Sequence, residues 1–192
     1  MEQELNCFFV GHFIPLQGID VIIRAANFLR NEAVMFHFIG AGQTAEEIHQ
    51  LIESYNLKNV KWDRNVRPYE YVVQKIEEFD VCLGIFSDSK KANKVIPNKI
   101  YLYTRLGKPI ITAKTSAIEE LFTDRHNILL CKPNDPVDLA DKIRELNNSK
   151  TLLEELSINV LKLYKEQLIP QRIVFPFINA LTRKIQNYVT DR

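Results

Sequence analysis

Apolar residues are spaced along this chain in two alternating rhythms. Compact runs dense in Val, Leu, Ile and Phe occur at residues 7–10, 34–39, 60–63, 81–86, 109–112 and 128–131. With little polar alternation inside them, they read as strands buried on both faces of a parallel sheet. Between them the period lengthens to that of a helix. Ile19, Ile22, Ile23 and Ala26 follow the i, i+3, i+4, i+7 pattern, and Val72, Val73, Ile76 and Phe79 share one face of a helix predicted over 69–79. Thr44 with Glu47 three residues on reads as a capping box that opens a helix through residue 55. A short helix is predicted between the fourth and fifth runs and another over 115–122. Asp135 and Pro136 supply an N-cap and a first-turn proline for a helix to residue 146.

Six strands alternating with helices predict an α/β fold: a doubly wound, six-stranded parallel sheet of Rossmann-like type, in the order 3-2-1-4-5-6. In that order strands one and four are neighbours at the topological switch point, where such sheets bind ligands. The turn at residues 12–18 and the loop at 87–99 then face each other across one crevice. From Lys150 the rhythm is helical only, with a helix to about 168, a break at Pro170 and a last helix near 176–188 carrying Phe177, Ile178, Leu181 and Ile185. The chain divides accordingly into a Rossmann-like domain over 1–149 and C-terminal helices over 150–192.

Composition narrows the class. At 192 residues, 46% hydrophobic and 26% charged, the chain is long and apolar enough to fold as a domain, and its net charge of +1 gives no reason to expect nucleic acid as a partner. Cys7, Cys82 and Cys131 each fall in a predicted strand, as buried free thiols of a reducing, cytoplasmic setting would. The acidic start M-E-Q-E-L-N is no signal peptide, and no apolar run approaches the roughly 18 residues of a membrane span. Neither a C-x-x-C pair nor an H-E-x-x-H spacing calls for a metal, and no metal or other cofactor is expected.

Local charge is another matter. Lys90, Lys91, Lys94 and Lys99 crowd the loop after the fourth strand, beside Ser87, Ser89 and Asn98. Such a field suits a phosphate or pyrophosphate, and equally a solvated lysine loop. Gly11-His12-Phe13 and the following turn to Gly18 lead into a helix N-terminus, whose free N–H groups and dipole favour an anion. Gly40-Ala41-Gly42 allows close backbone approach to a ligand but lacks the third glycine of a dinucleotide fingerprint. His37, inside a strand, reads as a packing residue.

These motifs together resemble the C-terminal, nucleotide-sugar-binding half of a GT-B glycosyltransferase of the group 1, retaining family. F-V-G-H-F-I-P-L-Q-G-I-D is similar to that family's F-x-G-R-x-x-P-x-K-G-x-D. F-I-G-A-G resembles its second-strand glycine motif, and G-K-P-I-I-T followed by Glu120 resembles its G-x-P-V-V and later acidic region. The run G-I-F-S-D-S-K-K-A-N-K-V-I-P-N-K-I-Y is similar to bacterial surface-polysaccharide transferases.

The resemblance implies a nucleoside diphosphate sugar as substrate and transfer of its sugar to an acceptor hydroxyl. It implies a diphosphate bordered by His12, Gln17, Gly18, Lys91, Lys94 and Lys99. The base and ribose would lie near Gly40, Gly42, Asn65, Val66 and Glu120. It also implies an absent N-terminal acceptor domain or partner subunit, through which the protein would associate with the inner face of a membrane. The departures are specific. His12 and Gln17 stand where the family has Arg and Lys, and Lys94 and Leu102 where it has paired glutamates, the second of which holds a ribose hydroxyl. The alternative is a non-catalytic module of the same fold that has lost nucleotide binding.

Overall fold

The computed structural model describes residues 4–175, 178 and 180–182. Six parallel strands, β1 (Leu5–Val10), β2 (Val34–Ile39), β3 (Val60–Asp63), β4 (Val81–Leu83), β5 (Ile110–Ala113) and β6 (Leu129–Cys131), form one sheet in the order β3-β2-β1-β4-β5-β6. The register sets Cys7 against both Phe36 and Val81, so the central strand is paired on its two sides. Alternate residues of each strand point to opposite faces, and two cores result. One gathers Phe9, Phe36, Leu83 and Leu129 under α1 (Ile19–Phe28), α2 (Ala45–Ser54) and α6 (Pro136–Asn147). The other gathers Phe8, Cys82 and Ile110 under α3 (Tyr69–Glu77), α4 (Asn98–Arg105), α5 (Ser116–Glu119) and the end of α7 (Lys150–Leu163).

Boundaries depart from the sequence pattern where tertiary partners intervene. β4 ends at Leu83 rather than 86, although its bonds to β5 run on: Gly84 N donates to Ile111 O at 2.8 Å and Ala113 N to Ile85 O at 2.9 Å, and the Thr112 hydroxyl accepts from Ile85 N at 3.1 Å and donates to Ile85 O at 3.0 Å. α3 ends at Glu77, where Lys108 Nζ donates to the carbonyls of Glu77 and Phe79, both at 2.8 Å. The capping box at Thr44 does not form; its backbone N–H donates instead to Phe13 O at 3.0 Å. Asp135 caps α6 as its sequence predicts, accepting from Val137 N and Asp138 N.

α7 stops being α-helical at Leu163 and continues as a π-helical turn, Tyr164–Leu168. Its Ser157 hydroxyl donates to Gly107 O at 2.6 Å. The helical residues beyond Pro170 expose Ile173, Val174, Phe175, Ile178 and Leu181. Phe177 and Ile185, and most of the last predicted helix, lie outside the described residues.

Candidate functional site

Two adjoining cavities open at the carboxyl ends of the central strands. The larger, of about 770 Å³, is lined by Val10, Gly11, His12, Arg67, Val72 and residues of α4, with Tyr69 and Tyr164 at its walls. The smaller, of about 150 Å³, shares Val10, Gly11, His12, Arg67 and Val72 and adds Gly40, Ala41, Asn65 and Val66. Together they make one crevice across the switch point. His12, Arg67, Lys99 and Arg105 line it, and no Asp or Glu does among the described residues. Arg67 is paired with Asp63 behind the lining at 2.7 Å, while Lys99 and Arg105 add basic character to the crevice of a protein whose overall charge is nearly balanced.

Of the turn after β1, Gly11 and His12 reach the lining. Gly18 adopts φ +63°, and a Cβ there would lie 2.6 Å from Ser87 N, so only glycine lets the turn meet the end of β4. Gln17 O accepts from Phe86 N at 2.9 Å, which ties the two loops together as the strand order predicts. Gln17 Oε1 is buried without a protein donor, and Gln17 and Gly18 lie beneath the crevice rather than on its lining. Gly40 shows the same close approach, since a Cβ at its φ of +145° would stand 2.0 Å from Gly11 O. The close neighbour of this glycine is therefore protein backbone. Gly40 lines the smaller cavity, whereas Gly42 packs on the Phe13 backbone.

The loop after β3 is organised by Asp63. Its carboxylate accepts from Asn65 N at 3.0 Å, Asn65 Nδ2 at 2.8 Å and Arg67 Nε at 2.7 Å. Arg67 foremost, then the Asn65 backbone, holds that carboxyl below its ordinary range. Val66, 88% exposed, stands at the mouth of the smaller cavity. Trp62 behind the loop stacks on Phe13 at 4.7 Å and donates to Gly40 O at 2.8 Å.

The lysine loop separates into unlike parts. Lys91 and Lys94 are exposed and stand outside the lining of both cavities. Ser87 and Ser89 share a 3.0 Å hydrogen bond, and Ser89 Oγ accepts from Ala92 N at 3.2 Å, so these hydroxyls stitch the loop to itself. Asn93 holds Ser116 through two bonds of 3.0 and 2.9 Å. Lys99 alone of the four lysines reaches the crevice, beside Asn98 and Leu102. Glu120 is exposed beyond α5 and outside the lining. Arg67, Tyr69, Tyr101, Arg105 and Tyr164 do line it, and their sequence neighbourhoods carry no motif that singles them out.

A crevice at the switch point of a doubly wound parallel sheet defines an α/β domain of the kind that places its ligand cleft at the strand ends. Its family follows from comparison: the model described as glycosyl transferases group 1 matches residues 4–149, and the chain belongs to that family. It is 28% identical over 158 residues to the uncharacterized glycosyltransferase MJ1178 of Methanocaldococcus jannaschii, covering 79% of this chain and 40% of that protein. Its fold is similar to Anabaena Alr3699/HepE, solved in complex with UDP, with a TM-score of 0.80 at 17% identity over 94% of this chain and 49% of that one. It is also similar to the C-terminal domain of the group 1 glycosyl transferase LpcC from Francisella tularensis, with a TM-score of 0.75 at 15% identity over 89% of both chains. The fold is that of the second, C-terminal half of a GT-B glycosyltransferase, and the chain spans less than half the length of the archaeal relative. Among the described residues no helix is long and apolar enough to cross a membrane.

Proposed function

We propose that this chain is the donor-binding half of a glycosyltransferase and takes a nucleoside diphosphate sugar into the crevice between the end of β1, α4 and the loop after β3. The carboxylate-free, cation-lined crevice carries this reading. The diphosphate would lie by His12 and Lys99, and the base by Asn65 and the exposed apolar face of Val66. In the transfer, the bond from the sugar's anomeric carbon to the diphosphate oxygen breaks and one to the acceptor oxygen forms, while the acceptor hydroxyl loses its proton. Negative charge builds on the leaving diphosphate, and preorganised cations in a water-poor cleft stabilise it. The acceptor would be held by an N-terminal half or a partner subunit, so the chain by itself binds donor without turning it over.

The UDP complex of the Anabaena relative makes UDP the first ligand to try. Calorimetric titration with UDP and GDP should give saturable binding; no heat from either at millimolar nucleotide would sink the proposal. A second reading, a module of this fold that no longer binds nucleotide, draws on His12, Gln17 and Leu102, which carry no fixed charge where the family has Arg, Lys and Glu. Silence in the same titration favours it.

A further inference from the structure

Lys99 is the least settled polar group of the crevice. It sits in the first turn of α4, and although the residue is only partly buried, its ammonium is enclosed. Nζ lies 3.5 Å from the centroid of the Phe9 ring, and a Cβ on Gly11 would come within 3.2 Å of it. Among the described residues it meets no hydrogen-bond acceptor. An aromatic face attracts a desolvated cation, but an ammonium has three protons to donate, and burying it unpaired is costly.

The groups around it offer no compensation. The crevice that Lys99 lines takes His12 from the turn after β1, Arg67 from the loop after β3 and Arg105 from α4. The phenols Tyr69, Tyr101 and Tyr164 come from α3, α4 and the π-helical turn. The charged ones among these share its sign. Burial pushes the Lys99 ammonium well below the ordinary lysine range. A diphosphate would reverse that balance by supplying oxygens for the protons turned away from the Phe9 ring.

We propose that Lys99 is the cation a diphosphate engages in this crevice, standing in for the basic side chains absent at His12 and Gln17, and that binding is coupled to uptake of one proton by Lys99. The inference rests on the diphosphate reading of the crevice and adds the source of its charge. A proton from solvent joins the Lys99 amine and no other covalent bond changes. The ligand raises an affinity for protons that burial had lowered, so between the free and bound values the affinity for diphosphate falls as pH rises, by up to about tenfold per unit.

Calorimetry on the full chain, with UDP and separately with inorganic pyrophosphate, tests this at about pH 8, where the terminal phosphate of UDP, ionising near 6, is fully deprotonated; pyrophosphate's last ionisation lies above that pH, so its slope is read as the difference from Lys99→Met. In buffers of different ionisation enthalpy the observed heat should change linearly, with a slope of up to about one proton taken up. Lys99→Arg, whose guanidinium stays charged, should bind UDP with a slope of zero. Lys99→Met should lose about tenfold or more in affinity. His12→Asn should keep the slope. A zero slope in the unaltered chain, an unchanged slope in Lys99→Met, or a slope abolished by His12→Asn alone overturns the proposal, and the first of these needs no variant to fold. Pyrophosphate bound with proton uptake while UDP fails to bind keeps Lys99's role and removes the nucleotide reading. UDP bound without uptake does the reverse, and binding of neither ligand removes both.

Discussion

Four lysines within ten residues look alike in one dimension, and burial distinguishes them. Lys91 and Lys94 point to solvent outside the crevice, so Lys91→Ala and Lys94→Ala should leave UDP affinity within about twofold, the size of a screened surface charge effect. A tenfold loss in either variant would return that loop to the binding surface. Gly40 belongs to the packing of two turns. Gly40→Ala should cost on the order of 2–4 kcal/mol in denaturant unfolding, because its Cβ would meet Gly11 O at 2.0 Å on backbone that L residues avoid. His37 bears on pH. It is half-buried, its Nε2 is 3.0 Å from Asn6 Oδ1, and desolvation first, then Lys61 and Lys75, lower its proton affinity from the ordinary 6.5. The unfolded imidazole therefore binds its proton more readily. Its contribution to stability is present above pH 6.5 and lost as pH falls through the lower value of the folded imidazole. His37→Gln should flatten that limb in a pH series of urea midpoints, and an unchanged limb would assign it to other groups.

At the scale of elements, two capping signals of equal appearance have different fates. Asp135 accepts from two backbone N–H groups of α6, and Asp135→Ala should cost about 0.5–2 kcal/mol. Thr44 makes no side-chain cap bond, because its φ of −93° and ψ of 5° follow from its backbone bond to Phe13, and Thr44→Ala should fall within about 0.5 kcal/mol of neutral. Denaturant midpoints for the two variants check the contrast, and equal costs would contradict it. The π-helical turn is the other departure. The apolar spacing of residues 150–168 reads as one helix, but the change of winding after Leu163 occurs where Tyr164 reaches the larger cavity. Such turns recur at functional sites, and periodicity over so short a stretch does not reveal them.

For the molecule as a whole, the two-faced core carries the three cysteines as buried free thiols, and burial pushes all of them up. None should be alkylated in the folded protein, while all three should react once it is unfolded, and rapid native labelling would show that the sheet opens locally. Nucleotide should stabilise the fold by mass action. UDP at about 100 times its Kd should add about 2.7 kcal/mol, a rise of roughly 5–10 °C in Tm for a chain of this size. A melting curve without that rise at saturating UDP would contradict binding to the native state.

The six strands, their order and the facing of the turn at residues 12–18 by the loop at 87–99 were legible in the residues. Burial on both faces of a parallel sheet leaves uninterrupted apolar runs, and the crossover rule leaves few ways to order them. Charge and a glycine-bearing turn drew attention to Lys99 and His12, whereas Asn65 and Val66 were implied only by the family resemblance; all four line the crevice. Which glycine meets protein backbone, which lysine turns inward under Gly11 and which arginine of the loop after β3 Asp63 holds are matters of approach within a few ångströms between segments distant in sequence. Local pattern says nothing about such distances, and packing alone decided them.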